Sequence, residues 1–581
     1  MSKKVLVAVA WPYVNGDLHL GHLAGYLLPA DIFARYRRLM GDDVMMVSGS
    51  DCHGTPITVE ADKQGIKPLD VVDIYHAKDV ELFKLYGLSY NLYTKTTTAN
   101  HKKVTQDLFL RLLQNDYIIK GTMKQYYSSE DNKFLPDRYV EGTCPHCQAK
   151  EQRSDQCEAC GRWLSDGELL NPYSKLTKAT VELKDTEHYF IDFEKLNAEL
   201  RTYVDSKKDI WRNWVWSEAD GWLREGLQKR AITRDLDWGI ELPLEELKKL
   251  PADKQLANYD NKKIYVWFEA VIGYLSAPQE WAQYSSEPEN YAGIYYKAKG
   301  QGNDWQSFWK NPDSEHYYFM GQDNLVFHTL MWPGELIGAK DNYTLPHNVI
   351  VNKFMNYEGK KFSKSRNWTI DSKAMAEKYG VDLVRFFMAS NFPENKEADF
   401  TWNGFVDTIN NELVANLGNY INRSLKFFET KFAGKLSVEN FVLDAEVLKR
   451  TQQAFSEMGE RINKAQFVEG VNCLMQYAKF ANQYFDQNQI WQVIKTDPDK
   501  AQDIMLNQLN IIENLKVLMA PVIPHAAERV NSMLRSDRPS FEVEVGQNFW
   551  QFYVAKSFEL QELVTILFTK LDKEVVLNEK L

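Results

Sequence analysis

The chain has 581 residues, 44% of them hydrophobic and 26% charged, with a formal net charge of −11. That length is too great for one core and points to roughly three to four domains, and the composition is globular rather than disordered or fibrous. No apolar run nears the ~20 residues of a membrane span, and Lys3-Lys4 leads straight into a strand-like run without a secretory leader, so a cytoplasmic protein is expected.

The first apolar run, Val5-Leu6-Val7-Ala8-Val9, fits a buried parallel strand. A turn follows over Trp11-Pro12-Tyr13-Val14-Asn15-Gly16, and Asp17 is suited to cap a helix running toward Met40, with a break or kink expected at Pro29. His19 and His22 fall on one face near the start of that helix, where free N–H groups and the helix dipole favour anions. Gly21 between them lets a bulky ligand approach the backbone. A second strand is expected at Val44 to Ser48, and residues 1–115 then form the first half of a doubly wound nucleotide-binding domain.

Residues 116–230 are an insertion. Cys144, Cys147, Cys157 and Cys160 form two CxxC turns with nine residues between the pairs, the pattern of a closed structural zinc site with four thiolate ligands. A pair of disulfides is disfavoured by a cytosolic redox poise, His146 is left outside the shell, and Cys52 and Cys473 are read as ordinary buried thiols. The nucleotide-binding domain resumes over 231–345, with Ile264 to Phe268 and Tyr317 to Met320 as candidate strands and Phe327-His328 on a helix. A small connecting domain follows at 346–402. It carries Lys361-Phe362-Ser363-Lys364-Ser365 in a basic stretch, six Lys or Arg against two acids over residues 351–375. Such a loop stabilises charge developing on a departing pyrophosphate. Helical periodicity over Glu412 to Phe428, Val447 to Ala465 and Ala501 to Met519 marks a helix bundle at 403–537, followed by a tail at 538–581 with an amphipathic stretch from Leu560 to Leu571. The expected fold class is α/β: a Rossmann-type parallel-sheet catalytic domain with a zinc-containing insertion, a connecting domain and a C-terminal all-α bundle.

In this order, His19-Leu20-Gly21-His22 and Lys361-Phe362-Ser363-Lys364-Ser365 resemble the signatures of class I aminoacyl-tRNA synthetases. Asp51-Cys52-His53-Gly54-Thr55-Pro56, Phe134-Leu135-Pro136-Asp137-Arg138, Tyr265-Val266-Trp267-Phe268-Glu269-Ala270, Gly321-Gln322-Asp323 and Phe327-His328 narrow the likeness to the methionyl-tRNA synthetases. The resemblance implies activation of methionine with Mg2+-bound ATP and transfer to initiator and elongator methionine tRNA. It assigns catalysis to His19, His22, Lys361 and Lys364, and ATP binding to these four with Asn15 and Gly21. Trp11, Tyr13, Asp51, Trp267, Ala270, Tyr274, Phe327 and His328 would hold methionine, an aromatic cluster suited to a polarizable sulfur, with Asp51 on the α-ammonium. Arg234 is a further candidate for the reaction. Asn419, Arg423 and Trp491 would read the anticodon. Trp11, Val271, Asn324 and Asn367 depart from common bacterial members and bear on pocket shape and the lysine loop.

The acidic average does not exclude RNA, since local basic surface decides contact. Neither DNA nor membrane is an expected partner, and a monomer is expected. Class I synthetases for valine, isoleucine or leucine carry a larger editing insertion, and a non-catalytic RNA-binding relative would have lost a signature residue, yet both histidines and both lysines are present.

Overall fold

The computed structural model describes residues 2–136, 139–154, 157, 159–160, 164, 167–362, 368–539 and 542–579. At its centre is a six-stranded sheet ordered in space as Ile294–Tyr295, Leu92–Lys95, Asp43–Ser50, Lys4–Val9, Glu315–Gly321 and Asn348–Asn352. Ile294–Tyr295 pairs antiparallel and the others are parallel. In the central strand Val7 stands between Met46 and Tyr317, and Val5 to Val9 are fully buried. Burial on both faces is why that strand reads as an unbroken aliphatic run instead of an alternating one. From Lys4–Val9 the chain builds outward on one side, then returns with Glu315–Gly321 on the other. The strand order therefore reverses between these two, and the crevice beyond their C-terminal ends is where open α/β sheets take ligands.

Asn348–Asn352 is the edge strand of this sheet, so the nucleotide-binding domain extends past the boundary placed at residue 345. The helix after the first strand also starts later than expected. Asp17 is exposed and pairs with Lys78 at 2.8 Å, while His19 is the N-cap, its Nδ1 accepting the Gly21 N–H at 3.1 Å. The imidazole takes the capping role because it lies one residue before the helical turn Leu20–His22. Helix type then changes: a π turn at Leu23–Leu27 leads into the α-helix Leu28–Leu39, with Pro29 in its first turn, where a missing N–H costs little. Two further π turns lie at Phe327–Met331 and Ile409–Gly418.

The insertion is built on a long antiparallel pair, Ile118–Ser128 with Glu182–Ile191, and a three-stranded sheet of Val140–Thr143, Gln152–Arg153 and Leu170–Ser174 that carries the cysteines. The strand expected over Ile264 to Phe268 is confined to Lys262–Ile264, because Val266 already begins the helix Val266–Gln283. A short apolar run fits a buried helix face as well as a strand. Helices Ser372–Tyr379 and Val381–Ser390 join the connecting segment to a bundle containing Ala445–Asn463, Phe467–Asn488 and Pro498–Met519. The stretch from Leu560 to Leu571 forms no helix: it follows the strand Ser557–Leu560, buries Val564, Leu567 and Phe568, and is tied at Leu571 by Asn410.

A buried arginine joins the parts. Arg385 reaches Asp31 at 2.6 Å, the Tyr86 carbonyl at 3.0 Å and the Val522 carbonyl at 2.9 Å, so one guanidinium binds the nucleotide domain, the connecting helix and the bundle. Among the described residues no helix is long and apolar enough to cross a membrane.

Candidate active site and metal centre

His19 and His22 stand beyond the C-terminal end of the central strand, at the point where strand order reverses. Their rings lie 4.0 Å apart, and the His22 Nδ1 is 3.1 Å from the His19 backbone N–H. The His19 ring stacks on Phe362 at 4.8 Å with an interplanar angle of 9°, and His19 bridges to Asp371. The two motifs, remote in sequence, thus share one surface. Gly21 is needed here, since a Cβ would sit 2.9 Å from His19 Cε1 and 3.5 Å from Phe362. Its space is filled by the two motifs themselves and not left open for a ligand. Lys361 is exposed on the short strand Lys360–Lys361, beside the histidine pair through Phe362. Ser363, Lys364, Ser365 and Asn367 lie outside the described residues, as do Asp137 and Arg138. Asn15 is half-buried in the turn before His19.

Tyr13 bridges to Asp51, the residue that follows the strand Asp43–Ser50. Asp51 is 5% exposed and its Oδ1 has no hydrogen-bond partner. Burial, and then the nearby Glu269 carboxylate, push its carboxyl well above the usual carboxylate range. A buried acid with an unpaired oxygen at the ligand-binding end of a sheet is a seat for a cation. Around it, Tyr274 donates to His328 Nε2 at 2.8 Å, while His328 Nδ1 donates to the Asn324 carbonyl at 2.9 Å. Burial lowers the His328 pKa to about 4, so the imidazole is neutral and its tautomer follows from those two bonds. Trp267, exposed, meets Phe327 edge-on at 5.4 Å, with Ala270 half-buried one turn along. Trp11 packs near Tyr274 at 6.4 Å, and its indole occupies the space over Gly49 and Gly273, where a Cβ would come within 2.3 and 2.5 Å of it. Those two glycines make room for the larger ring. Val271 is buried in the pocket helix.

Sequence reading gave no role to the polar layer beneath this pocket. Glu269 accepts from His101 at 2.7 Å and pairs with His53 at 3.0 Å, and His101 bonds Ser276 at 2.8 Å. Burial opposes ionisation of Glu269, but His53 and His101 outweigh it and lower its pKa. A lone acid inside an apolar helix, Phe268-Glu269-Ala270, is the signal that could have found this network. Arg234 does not join the histidines: it lies over the Tyr265 ring at 4.7 Å and donates to the Thr233 carbonyl at 3.0 Å.

The four cysteine sulfurs lie within 4.8 Å of one another, Cys144 to Cys160 at 4.0 Å and Cys147 to Cys157 at 3.5 Å, and none is in a disulfide. Metal–sulfur bonds of about 2.3 Å in a tetrahedron place sulfurs about 3.8 Å apart, so the set can hold a metal ion. In the bundle, Trp491 is 39% exposed and stacks on Phe485 at 5.7 Å, and the Arg423 guanidinium lies 4.1 Å from the same ring while pairing with Asp486 at 2.8 Å. Asn419 is exposed one turn before Arg423.

Residues 5–425 match the family model of class I tRNA synthetases (M), and residues 437–578 match that of the anticodon binding domain of methionyl tRNA ligase. The methionine–tRNA ligase of Roseiflexus sp. (strain RS-1) is 42% identical over 542 residues, 92% of this chain and 87% of that one. That of Chloroherpeton thalassium (strain ATCC 35110 / GB-78) is 39% identical over 581 residues, 98% of this chain and 79% of that one. A solved structure of Mycobacterium tuberculosis methionyl-tRNA synthetase in complex with methionyl-adenylate is similar over 98% of this chain and all of that one, with a TM-score of 0.73 at 21% identity, a likeness of fold.

Proposed function

We propose the following reaction for a chain that belongs to the methionyl family of class I tRNA synthetases: it activates methionine with ATP and charges methionine tRNA. The observation that carries the reading is the stacking of Phe362 on His19, which brings both signatures to the ligand-binding crevice. Methionine enters with its ammonium on Asp51 and its thioether among Tyr13, Trp267, Tyr274 and Phe327, closed by Trp11, Ala270 and His328. The Tyr274–His328 bond keeps that end neutral, which suits an uncharged side chain. A carboxylate oxygen of methionine attacks the α-phosphorus of ATP, the bond from that phosphorus to the bridging oxygen breaks, and pyrophosphate leaves with the electron pair. His19 and His22, near a helix start that favours anions, bind the phosphates with Asn15, Gly21 permits the close turn between the two rings at the ATP site, and Lys361 and Lys364 hold the departing pyrophosphate. Mg2+ accompanies ATP and neutralises its phosphates.

A hydroxyl of the terminal ribose of tRNA then attacks the methionyl carbonyl, and AMP leaves. The four cysteines hold one zinc ion, which fixes the insertion and takes no part in the reaction. Asn419, Arg423 and Trp491 contact the anticodon of initiator and elongator tRNA, with Trp491 offering a face for a base. The enzyme acts as a cytoplasmic monomer.

ATP–pyrophosphate exchange with each of the twenty amino acids tests this directly. Exchange that needs methionine alone supports it; exchange driven by another amino acid keeps the class and overturns the pocket. Lys361→Ala should lower kcat of activation by about 100- to 1,000-fold with methionine KM nearly unchanged.

A further inference from the structure

Beside the methionine pocket, and sharing Trp267 and Phe327 with it, lies a cavity of about 260 Å³. Its wall also takes Met123 and Phe190 from the insertion, Arg234 and Phe268 from the nucleotide domain, and Glu335 from the helix Trp332–Ala339. Glu335 is 2% exposed, and its Oε2 has no hydrogen-bond partner. Burial raises its pKa well above the usual carboxylate range. A neutral carboxylic acid carries an O–H donor and a carbonyl acceptor side by side. Buried polar groups are nearly always paired, and an unpaired one destabilises the fold. In a cavity wall, such a group marks a place where a ligand edge completes the pairing.

A second cavity, of about 430 Å³, adjoins the first and shares Phe193, Lys229, Arg230 and Met331 with it. Its outer wall holds Trp222, 37% exposed. The two together form a path: an exposed aromatic ring and Glu225 outside, Lys229 and Arg230 at the junction, then an aromatic chamber with a hydrogen-bonding floor next to the methionine pocket. Stacking faces combined with backbone-following cations are how single-stranded nucleic acid is held, whereas a compact small ligand would have no use for the outer chamber.

We propose that these paired cavities seat the single-stranded 3′ end of the tRNA, with the terminal adenine in the inner chamber against Glu335 and the adjoining phosphate on Lys229 and Arg230. This rests on the reaction inferred above. The Glu335 O–H donates to a ring nitrogen of adenine, and its carbonyl accepts from the 6-amino group. A nucleotide so held has its ribose beside Trp267 and Phe327, and therefore beside the methionyl carbonyl it must attack.

The test is single-turnover transfer from preformed methionyl-adenylate to tRNA ending in adenosine or in purine riboside, which lacks the 6-amino group. Wild-type protein should transfer to the purine riboside end about tenfold more slowly. Glu335→Leu should slow transfer to the adenosine end and erase the difference. Glu335→Gln, which keeps a donor and an acceptor side by side, should restore it, and Arg230→Ala should raise the KM for tRNA. Methionine-dependent pyrophosphate exchange reports folding of each variant. Wild-type indifference to the missing amino group overturns the proposal by itself, even if Glu335→Leu does not fold, and so does a folded Glu335→Leu that still discriminates. Loss of methionine-dependent exchange in the wild type would instead remove the underlying reaction, and this proposal with it.

Discussion

Asp31 and Asp51 are both buried in the nucleotide domain, and their surroundings are opposites. Asp31 accepts from Arg35 at 2.9 Å, from Arg385 at 2.6 Å and from the Ser89 N–H and O–H at 2.8 and 2.6 Å. Burial alone would raise its pKa, but Arg35 and Arg385 outweigh it and hold the carboxyl well below the usual range. Asp51 accepts the backbone N–H of His53, leaves Oδ1 without a partner, and is pushed upward by burial and Glu269. A saturated buried carboxylate is part of the structure. One left short of a partner holds binding energy for a cation that arrives later.

Removing an arginine from the saturated site should break the contrast most severely. Arg385→Leu leaves Asp31 buried with half its compensation and severs three parts of the molecule, which should cost about 3–5 kcal/mol of stability in urea unfolding. Exchange and tRNA charging should fall together. A loss below about 1 kcal/mol would show that the cluster is not structural. At the unsaturated site, Asp51→Asn should lower kcat/KM for methionine in pyrophosphate exchange by about 100-fold or more while leaving the melting temperature undiminished. A variant that melts early would place Asp51 with Asp31. Trp491→Ala acts far from either carboxyl and should weaken tRNA binding by about 1–3 kcal/mol, with exchange unaffected; equal losses of both activities would indicate misfolding.

The smallest effect is on pH dependence. An unfolded aspartate titrates near about 3.9. Asp31, lowered on folding, contributes stability present above that value and lost as pH falls toward its folded pKa. Asp51, raised on folding, has the reverse sign: its contribution is present below about pH 3.9 and lost as pH rises through its folded pKa. Only ionised Asp51 binds an ammonium, so the KM for methionine should rise as pH falls through the raised pKa of Asp51. Asp51→Asn should flatten that profile, and an unchanged slope in the variant would assign the titration elsewhere.

Much of the fold was legible because its signals are local. Five consecutive aliphatic residues marked the central strand, and the cysteine spacing marked a metal site whose sulfurs do converge. Membership of the family rested on contiguous motifs that the comparisons support. What escaped depends on residues that meet only after folding. Nothing in the sequence says that Gly49 and Gly273 clear space for Trp11, or that Arg385 closes on Asp31 across the domains. The extended course after Leu560 was hidden because its buried apolar residues follow the surface they cover, not a helical period. Asp17 lost the cap to His19 because the helical turn begins only at Leu20, directly after the histidine.

Two of the π turns flank the active crevice, Leu23–Leu27 directly after His22 and Phe327–Met331 at the wall shared by methionine and the neighbouring cavity. A π turn accommodates one residue more than the α-helix around it, and such bulges are found mostly at functional sites. Each is therefore a place where the chain tolerates an odd count. Deleting a single residue there would let the helix relax to the α form, in which four residues turn the chain about as far as the five of the π turn did, so the helix on either side would keep nearly the same facing. The change would fall on the turn itself: Leu23–Leu27 directly behind His22 in one case, and Phe327 with the residues after it in the other. A one-residue deletion at either turn would therefore disturb the crevice wall while leaving the helix beyond it in register.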